Sequence, residues 1–399
     1  MTPRLRRALA AAGGPLLIAG VALFLLRGFW LFGRVSLQHV DPLPFWLPMH
    51  CHLGETLASG SIPAWNPHVL GGVPFAADPQ SGWMYLPAML LYAALPCTTA
   101  FGWFVTLQPV LAGVGLYWFL RVEGLSRPAA TVGGLALAGG IAASRVAVTL
   151  PFSGSVAWTA VMLGCAARFF RAPGWSGRLG WSVAVAAAWG QVAAAHLSHG
   201  LVVATLALAA YAIAAGGRVR PRTRVAWLRA ALLLAALVLV NLAFLAPRVP
   251  YLARSTLSLG YGGLDALAAD LGSPVGSSAE VGASVSPPWI LGFATAPGAY
   301  LGMAALLLVP AAWALRERRR LAIWIGAFAL LCYLLPLRAV ASAVASWGAW
   351  LPFADFYVHE PSRFRYGVLL ALPILAALGI EAWRRGAASA RWVAVGAAA

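Results

Sequence analysis

Lysine is absent from this 399-residue chain, and charge of either sign is scarce: 28 arginines and 11 acids, so that 10% of residues are charged. A soluble globular domain carries about 25% charged residues, so that class is excluded. With 61% hydrophobic residues and a mean hydropathy of +0.80, the composition predicts an all-α polytopic membrane protein. The chain also lacks a phosphate-binding loop, a dinucleotide fingerprint, a nucleophile elbow and an HExxH zinc site. That argues against nucleotide-driven transport and soluble-type hydrolysis. No internal repeat and no soluble domain is visible. Cysteines are few: Cys51, Cys97, Cys165 and Cys332 are scattered, with no metal or redox spacing. Cys165 and Cys332 lie within apolar runs and read as inert packing residues.

What is present is a series of apolar runs. About 17–25 apolar residues suffice to span a bilayer. Such runs fall near 9–32, 98–120, 129–149, 154–169, 179–196, 199–216, 230–247, 298–315, 321–338 and 363–383, and a last one begins near 390. The expectation is a single transmembrane domain over 1–399 with about 10–11 transmembrane helices. The first run is too long for a signal-peptide core and reads as a retained helix. The segment Met84–Leu95 is too short to span and reads as interfacial or re-entrant.

The net charge of +17 would suggest nucleic acid in a soluble protein. Here the arginines punctuate the apolar runs and set topology instead, so the expected partner is membrane lipid and not nucleic acid. With the N-terminus inside, the clusters at Arg4–Arg7, Arg121–Arg127, Arg168–Arg178, Arg218–Arg229, Arg316–Arg320 and Arg384–Arg391 all fall on one side. One extra span would break that alternation. The acids show the opposite bias: Asp41, Glu55, Asp78, Asp265, Asp270, Glu280, Asp355 and Glu360 fall outside. Three outer segments follow from this map: 33–97 with interfacial helices, 248–297, which is Gly/Ser/Ala-rich and reads as flexible, and 339–362.

Within the first outer loop, Asp41–Pro87 is the most informative stretch. Loops longer than about 12–15 residues are usually functional or disordered, and its Trp, Phe, Met and Tyr content opposes disorder. Asp41 precedes a proline just above the expected membrane surface. It suits a general base or a divalent-cation ligand (Mg or Mn), and equally a helix N-cap. Trp65 offers a face for stacking on a sugar or prenyl chain. Asn66 offers donor and acceptor, and Asp78 with Gln80 forms a second polar pair; Asx turns in a rigid loop explain the same residues. Glu55 reads as a solvated charge on an amphipathic segment, Phe45–Leu57. His50 and His52, two apart, point to different faces and do not form a metal pair.

Further along, His196 and His199 lie three apart at the outer end of a helix, a spacing that puts both on one face. They are candidates to contact a phosphate or a metal, or to be hydrogen-bonded structural residues. Arg34, Arg145, Arg248, Arg254, Arg338, Arg363 and Arg365 depart from the inside bias. Arg363 and Arg365 enter the outer end of a late helix, where guanidinium suits a lipid phosphate or diphosphate, or pairs with Glu360.

Together these residues carry a resemblance. An Asp-bearing outer loop after the first helix is followed by GSIPAWNP (Gly60–Pro67), GGVPF, DPQ and MYLP, then by GQVAAAHLSHG and SRFRYG. The pattern resembles the bacterial YfhO-type membrane proteins, of the GT-C class of polytopic glycosyltransferases. The match covers most of the chain and is most specific over 41–87. The resemblance implies a GT-C-like fold in the bacterial plasma membrane with an extracytoplasmic active site. It implies a polyprenyl-phosphate sugar donor and an envelope glycan or glycolipid acceptor. Asp41 takes the position of the base or metal ligand, Asp78 is the second acid, and Arg363 and Arg365 steady the leaving phosphate. Members often carry a longer C-terminal part; a chain ending at Ala399 inside an apolar run is expected to be shortened. Two rival classes remain: a transporter or flippase of lipid-linked intermediates, and a non-catalytic relative acting as an assembly partner. Ionisable groups crowded at the outer surface rather than the midplane favour the enzyme.

Overall fold

A computed structural model describes residues 3–34, 41–69, 71–216, 224–254, 301, 303–337, 339–341, 343–344, 361–389 and 391. Apart from one short antiparallel pair, its regular structure is helical: α1 (Pro3–Leu25), α2 (Arg27–Trp30), α3 (Leu47–Ala58), α4 (Leu86–Ala94), α5 (Cys97–Val122), α6 (Arg127–Ala142), α7 (Leu150–Arg171), α8 (Trp175–Ala195), α9 (His199–Gly216), α10 (Arg224–Arg254), α11 (Met303–Leu308), α12 (Arg319–Leu334) and α13 (Arg365–Arg384). Among the described residues, five helical stretches are long and apolar enough to cross a membrane: α5, α7, α9, Arg224–Tyr251 of α10, and Pro361–Arg384 around α13. The architecture is that of an all-α membrane protein.

Several expected spans differ from the helices that form. The run at 154–169 is longer than expected: α7 has 22 residues, because Pro151 lies in its first turn, where a missing N–H costs nothing. The run at 129–149 is shorter: α6 ends at Ala142 and a separate turn follows. The run at 298–315 breaks into six-residue α11 and a 3-10 segment, Val309–Ala314, entered at Pro310. The Met84–Leu95 segment forms the nine-residue α4, well short of a span. Most of the second and third expected outer segments, their acids and the run beginning near 390 lie outside the described residues.

Without a hydrophobic drive between helices in lipid, close backbone approach and buried polar bonds hold a bundle together. Both devices are present. A Cβ on Gly113 would lie 2.7 Å from the Gly134 carbonyl oxygen, and one on Gly134 2.7 Å from the Gly113 oxygen, so α5 and α6 cross backbone to backbone. Buried Asn241 on α10 donates to the Ala186 carbonyl of α8 at 3.0 Å. The opposite side of α10 exposes Leu228, Leu234, Val238, Leu239 and Leu242, a surface suited to lipid.

The bundle has two chemically distinct ends. At one, which we call the arginine face, Glu123 is fully buried at the end of α5. It pairs with Arg171 of α7 at 3.0 Å and with Arg318 before α12 at 3.7 Å, and it accepts from the Tyr211 hydroxyl of α9 at 2.6 Å. Beside it, Glu381 of α13 accepts from the Ser126 backbone N–H at 2.9 Å and from Arg385 at 2.7 Å, and Arg385 also reaches Glu317 at 2.6 Å. The other end carries the segment between α2 and α5 as a cap.

Candidate functional site

The cap starts at Asp41, whose carbonyl accepts from the N–H groups of Phe45 and Trp46, at 3.0 and 3.1 Å, to open a wide π-helical turn over Pro42–Trp46. The Asp41 side chain is half-buried and makes no capping bond to this turn, so the N-cap explanation fails for its carboxylate. The turn runs into α3, which buries Met49, His50, Leu53 and Gly54 and exposes Glu55. A Cβ on Gly54 would lie 2.2 Å from the Tyr92 carbonyl oxygen, so glycine there lets α3 lie directly on α4. A covalent bond also ties α3 to α5. Cys51 of α3 is disulfide-bonded to Cys97 at the start of α5, closing a separation of 46 residues. The cysteine spacing did not reveal this bond; the signal available was that both residues lie in the expected outer segment, the oxidising side.

Between α3 and α4 the chain makes a small hairpin, with Trp65 opposite Pro74 and Asn66 opposite Val73. Asn66 is buried, and its Oδ1 accepts from the His68 N–H at 3.0 Å. Asp78 Oδ1 accepts from the Gln80 N–H at 2.7 Å. Both are Asx turns, so these two side chains shape the loop whatever else they do. Burial raises the Asp78 carboxyl above the usual range, partly offset by that N–H and by nearby Arg248. Trp65 stays 53% exposed, its indole lying over Gly72, and so keeps a free aromatic surface beside the hairpin.

Two residues dock the cap on the bundle. Gln191 of α8 donates to the Met84 carbonyl at 3.0 Å and accepts from the Leu86 N–H at 2.8 Å. Between them Met84 adopts φ +67°, the one non-glycine with positive φ among the described residues, a conformation that persists only where neighbours enforce it. Arg248 of α10 is fully buried. It donates to the Trp83 carbonyl at 2.9 Å and stacks 3.8 Å over the Phe244 ring. Neither was singled out for this role from sequence, although an isolated glutamine in an apolar run and an arginine against the charge bias were both visible signals.

Under the cap, a cavity of about 10 Å³ is bounded by Trp46, His50, Gln80, Tyr85, Pro151 and Ala195. It has room for about one water. His50 packs against Tyr92 and Phe104, with ring centroids 5.1 and 5.4 Å away, and among the described residues its Nδ1 has no hydrogen-bond partner. Burial lowers its pKa to about 4, so the ring is neutral at pH 7. Next to it the Tyr85 hydroxyl donates to Gln108 Oε1 at 2.8 Å, and Gln108 Nε2 is buried without an acceptor among the described residues.

The cavity floor leads directly to the second group of predicted residues. Leu150 and Pro151 bound the cavity, and the next residue, Phe152, carries His196 at 4.2 Å, Tyr366 at 4.2 Å and the Arg363 guanidinium at 5.5 Å. His196 and His199 stack with centroids 6.3 Å apart, and both are buried. They do not share a helix face as their spacing suggested. His196 leaves α8 in an extended conformation and His199 opens α9, so the rings meet across a turn. His196 Nδ1 accepts from the Gly200 N–H at 2.8 Å, and Ser198 Oγ lies 3.3 Å from its Nε2. An accepting Nδ1 requires the neutral ring. Arg365 lies beside Tyr366, its guanidinium donating to that hydroxyl at 3.4 Å.

Of the residues singled out from sequence, Gln80 bounds the cap cavity together with Pro151, and the next residue, Phe152, meets His196 and Arg363. Asp78, Gln80, Trp65 and Asn66 belong to the cap; His196, His199, Arg363 and Arg365 lie at the bundle end beneath it. Among the described residues no group of three or more His, Cys, Asp or Glu side chains gathers as a metal site, so no step is routed through a Mg or Mn ion. Comparison with models of known families and with curated proteins found no match.

Proposed function

We propose that the protein is a GT-C-type membrane glycosyltransferase that moves a sugar from a polyprenyl-phosphate donor to an envelope glycan or glycolipid. In this reading some 10–11 helices span a bacterial plasma membrane, the N-terminus is cytoplasmic and the cap faces outward. The observation that carries the reading is the juxtaposition of an acid-bearing cap with a bundle end holding two histidines and two arginines. The cap's disulfide supports an outward orientation, since such bonds persist in oxidising compartments.

Asp41 deprotonates the acceptor hydroxyl, whose oxygen attacks the anomeric carbon as the bond to the lipid phosphate oxygen breaks. The phosphate leaves with the bonding electron pair, and Arg363 and Arg365 neutralise its charge. Trp65 supplies a stacking face for the sugar or prenyl chain.

The test is reconstitution in liposomes with polyprenyl-phosphate sugars, following release of polyprenyl phosphate. Wild type is expected to release it, and Asp41→Asn to lower the rate by about 10²–10⁴-fold, the usual worth of a general base. Absence of release from folded wild type across several sugars and acceptors rejects the enzyme and favours transport or an assembly role.

A further inference from the structure

At the arginine face, a second cavity of about 210 Å³ lies between the end of α9 and the start of α12, bounded by Tyr211, Ala214, Ala215, Glu317 and the run Arg316, Arg318–Arg320. Not all of these charges are available. Arg318 pairs with Glu123, and Glu317 with Arg385. Arg316, Arg319 and Arg320 are exposed, and none of the three meets a carboxylate within ion-pair distance among the described residues. Arg320 instead donates to the Ile213 carbonyl at 3.3 Å, which fixes it at the cavity's edge. Three guanidinium groups with their own acid already neutralised form a receptor for a phosphate oxygen, for which their planar donor geometry is suited.

The surroundings specify more than phosphate. The cavity is smaller than the roughly 300–1,000 Å³ of whole-ligand pockets, so it fits a headgroup and not a nucleotide. Directly beside Arg320, Ile213 is 45% exposed, and Ile323, one turn into α12, is also 45% exposed. Both belong to apolar helices whose outer surfaces suit acyl chains. A basic pocket between helices with an apolar track leading from it matches an amphiphile with an anionic head. A choline or ethanolamine head would bring its ammonium against the guanidinium groups.

We infer that this cavity binds an anionic glycerophospholipid, its phosphate held by Arg316, Arg319 and Arg320 and its acyl chains lying along Ile213 and Ile323. The site is at the opposite end of the bundle from the cap and does not depend on the proposed chemistry there.

The test is native mass spectrometry of the full chain in detergent, titrated with phosphatidylglycerol or phosphatidylcholine of the same chain length. Arg316→Gln/Arg319→Gln is compared with a charge-matched control, Arg127→Gln/Arg168→Gln, which alters exposed arginines of the same face outside the cavity. At about 1 kcal/mol per surface cation, the cavity variant is expected to bind phosphatidylglycerol about thirtyfold more weakly, with the control near wild type. Free sn-glycerol 3-phosphate separates the sources. If it displaces the lipid only at far higher concentration, the acyl chains contribute as proposed; if it competes at equal concentration, the lipid assignment is overturned in favour of a free phosphate. Equal affinity for the two lipids, or equal losses in the two double variants, overturns the site.

Discussion

The two ends of the bundle contain polar residues used in opposite ways. At the arginine face the acids Glu123, Glu317 and Glu381 are each matched to an arginine, and the resulting network ties α5, α7, α9, α12 and α13 together. At the cap the ties are a disulfide, aromatic contacts and side chains bonded to backbone, as in Gln191 to Met84 and Leu86 and Arg248 to Trp83. Charges that neutralise one another hold helices but are not available to a substrate. Where covalent and backbone bonds hold the structure instead, ionisable side chains can be retained for other tasks. If this contrast is right, the arginine face responds chiefly to loss of charge, and the cap to reductant and pH.

The sharpest attempt to break the contrast is Glu123→Ala. Removing the shared acid leaves Arg171 and Arg318 facing each other and the Tyr211 hydroxyl without its acceptor. Breaking a buried pair in this way typically costs about 3–5 kcal/mol. Thermal unfolding in detergent should show a large fall in Tm, unaffected by reductant. A loss under about 1 kcal/mol would mean that packing, not charge, holds this face.

Reductant should act on the other end. Cys51→Ser/Cys97→Ser, or dithiothreitol on the wild type, is expected to destabilise the cap by about 2–4 kcal/mol, the usual effect of a closed loop of this length. The measurement is protease sensitivity of the 41–96 segment. Cleavage should rise there with no change at the α5–α6 turn, whose Glu123 and Ser126 belong to the charge network. Equal sensitivity at both sites would remove the distinction between the ends.

How far the sequence disclosed this contrast depended on the kind of signal. Hydropathy and arginine placement reveal long apolar helices because a bilayer imposes length and charge bias on the chain itself. They revealed the helix ends less well, since Pro151 extends α7 and Pro310 breaks the 298–315 run through local backbone geometry. Partners distant in sequence were harder still. Nothing near Cys51 announces Cys97, and nothing near Gln191 announces Met84, because such pairs exist only once α3, α4 and α8 are packed. The histidine pair shows both sides: its residues were visible, but a helical reading of the spacing missed the turn that brings the rings together.

His50 offers a pH test of the cap. Its pKa in the fold is about 4 against an ordinary 6.5. Between those values the unfolded chain binds a proton that the folded chain does not, so stability falls as pH drops from about 6.5 to about 4 and is unaffected above that window. The full shift corresponds to at most about 3 kcal/mol. Cap stability, read by protease sensitivity across that range, should therefore decline in wild type and be flatter in His50→Phe. The same slope in both proteins would assign the effect to other groups.

The smallest expected effect concerns how the cap is registered on the bundle. Gln191→Leu keeps the size of the side chain but removes an acceptor from the Leu86 N–H and a donor to the Met84 carbonyl. Leaving such groups unsatisfied costs about 1–3 kcal/mol when they are buried; Leu86 and Met84 are exposed, so water replaces part of the loss and about 1 kcal/mol is expected. The local consequence should exceed the global one, because those two bonds flank Met84 and its positive φ. Hydrogen exchange at Leu86 should accelerate at least fivefold while amides of α5 and α13 keep their protection. Acceleration throughout the bundle would show that the cap is not a separately held element, and the comparison between the two ends would lose its basis.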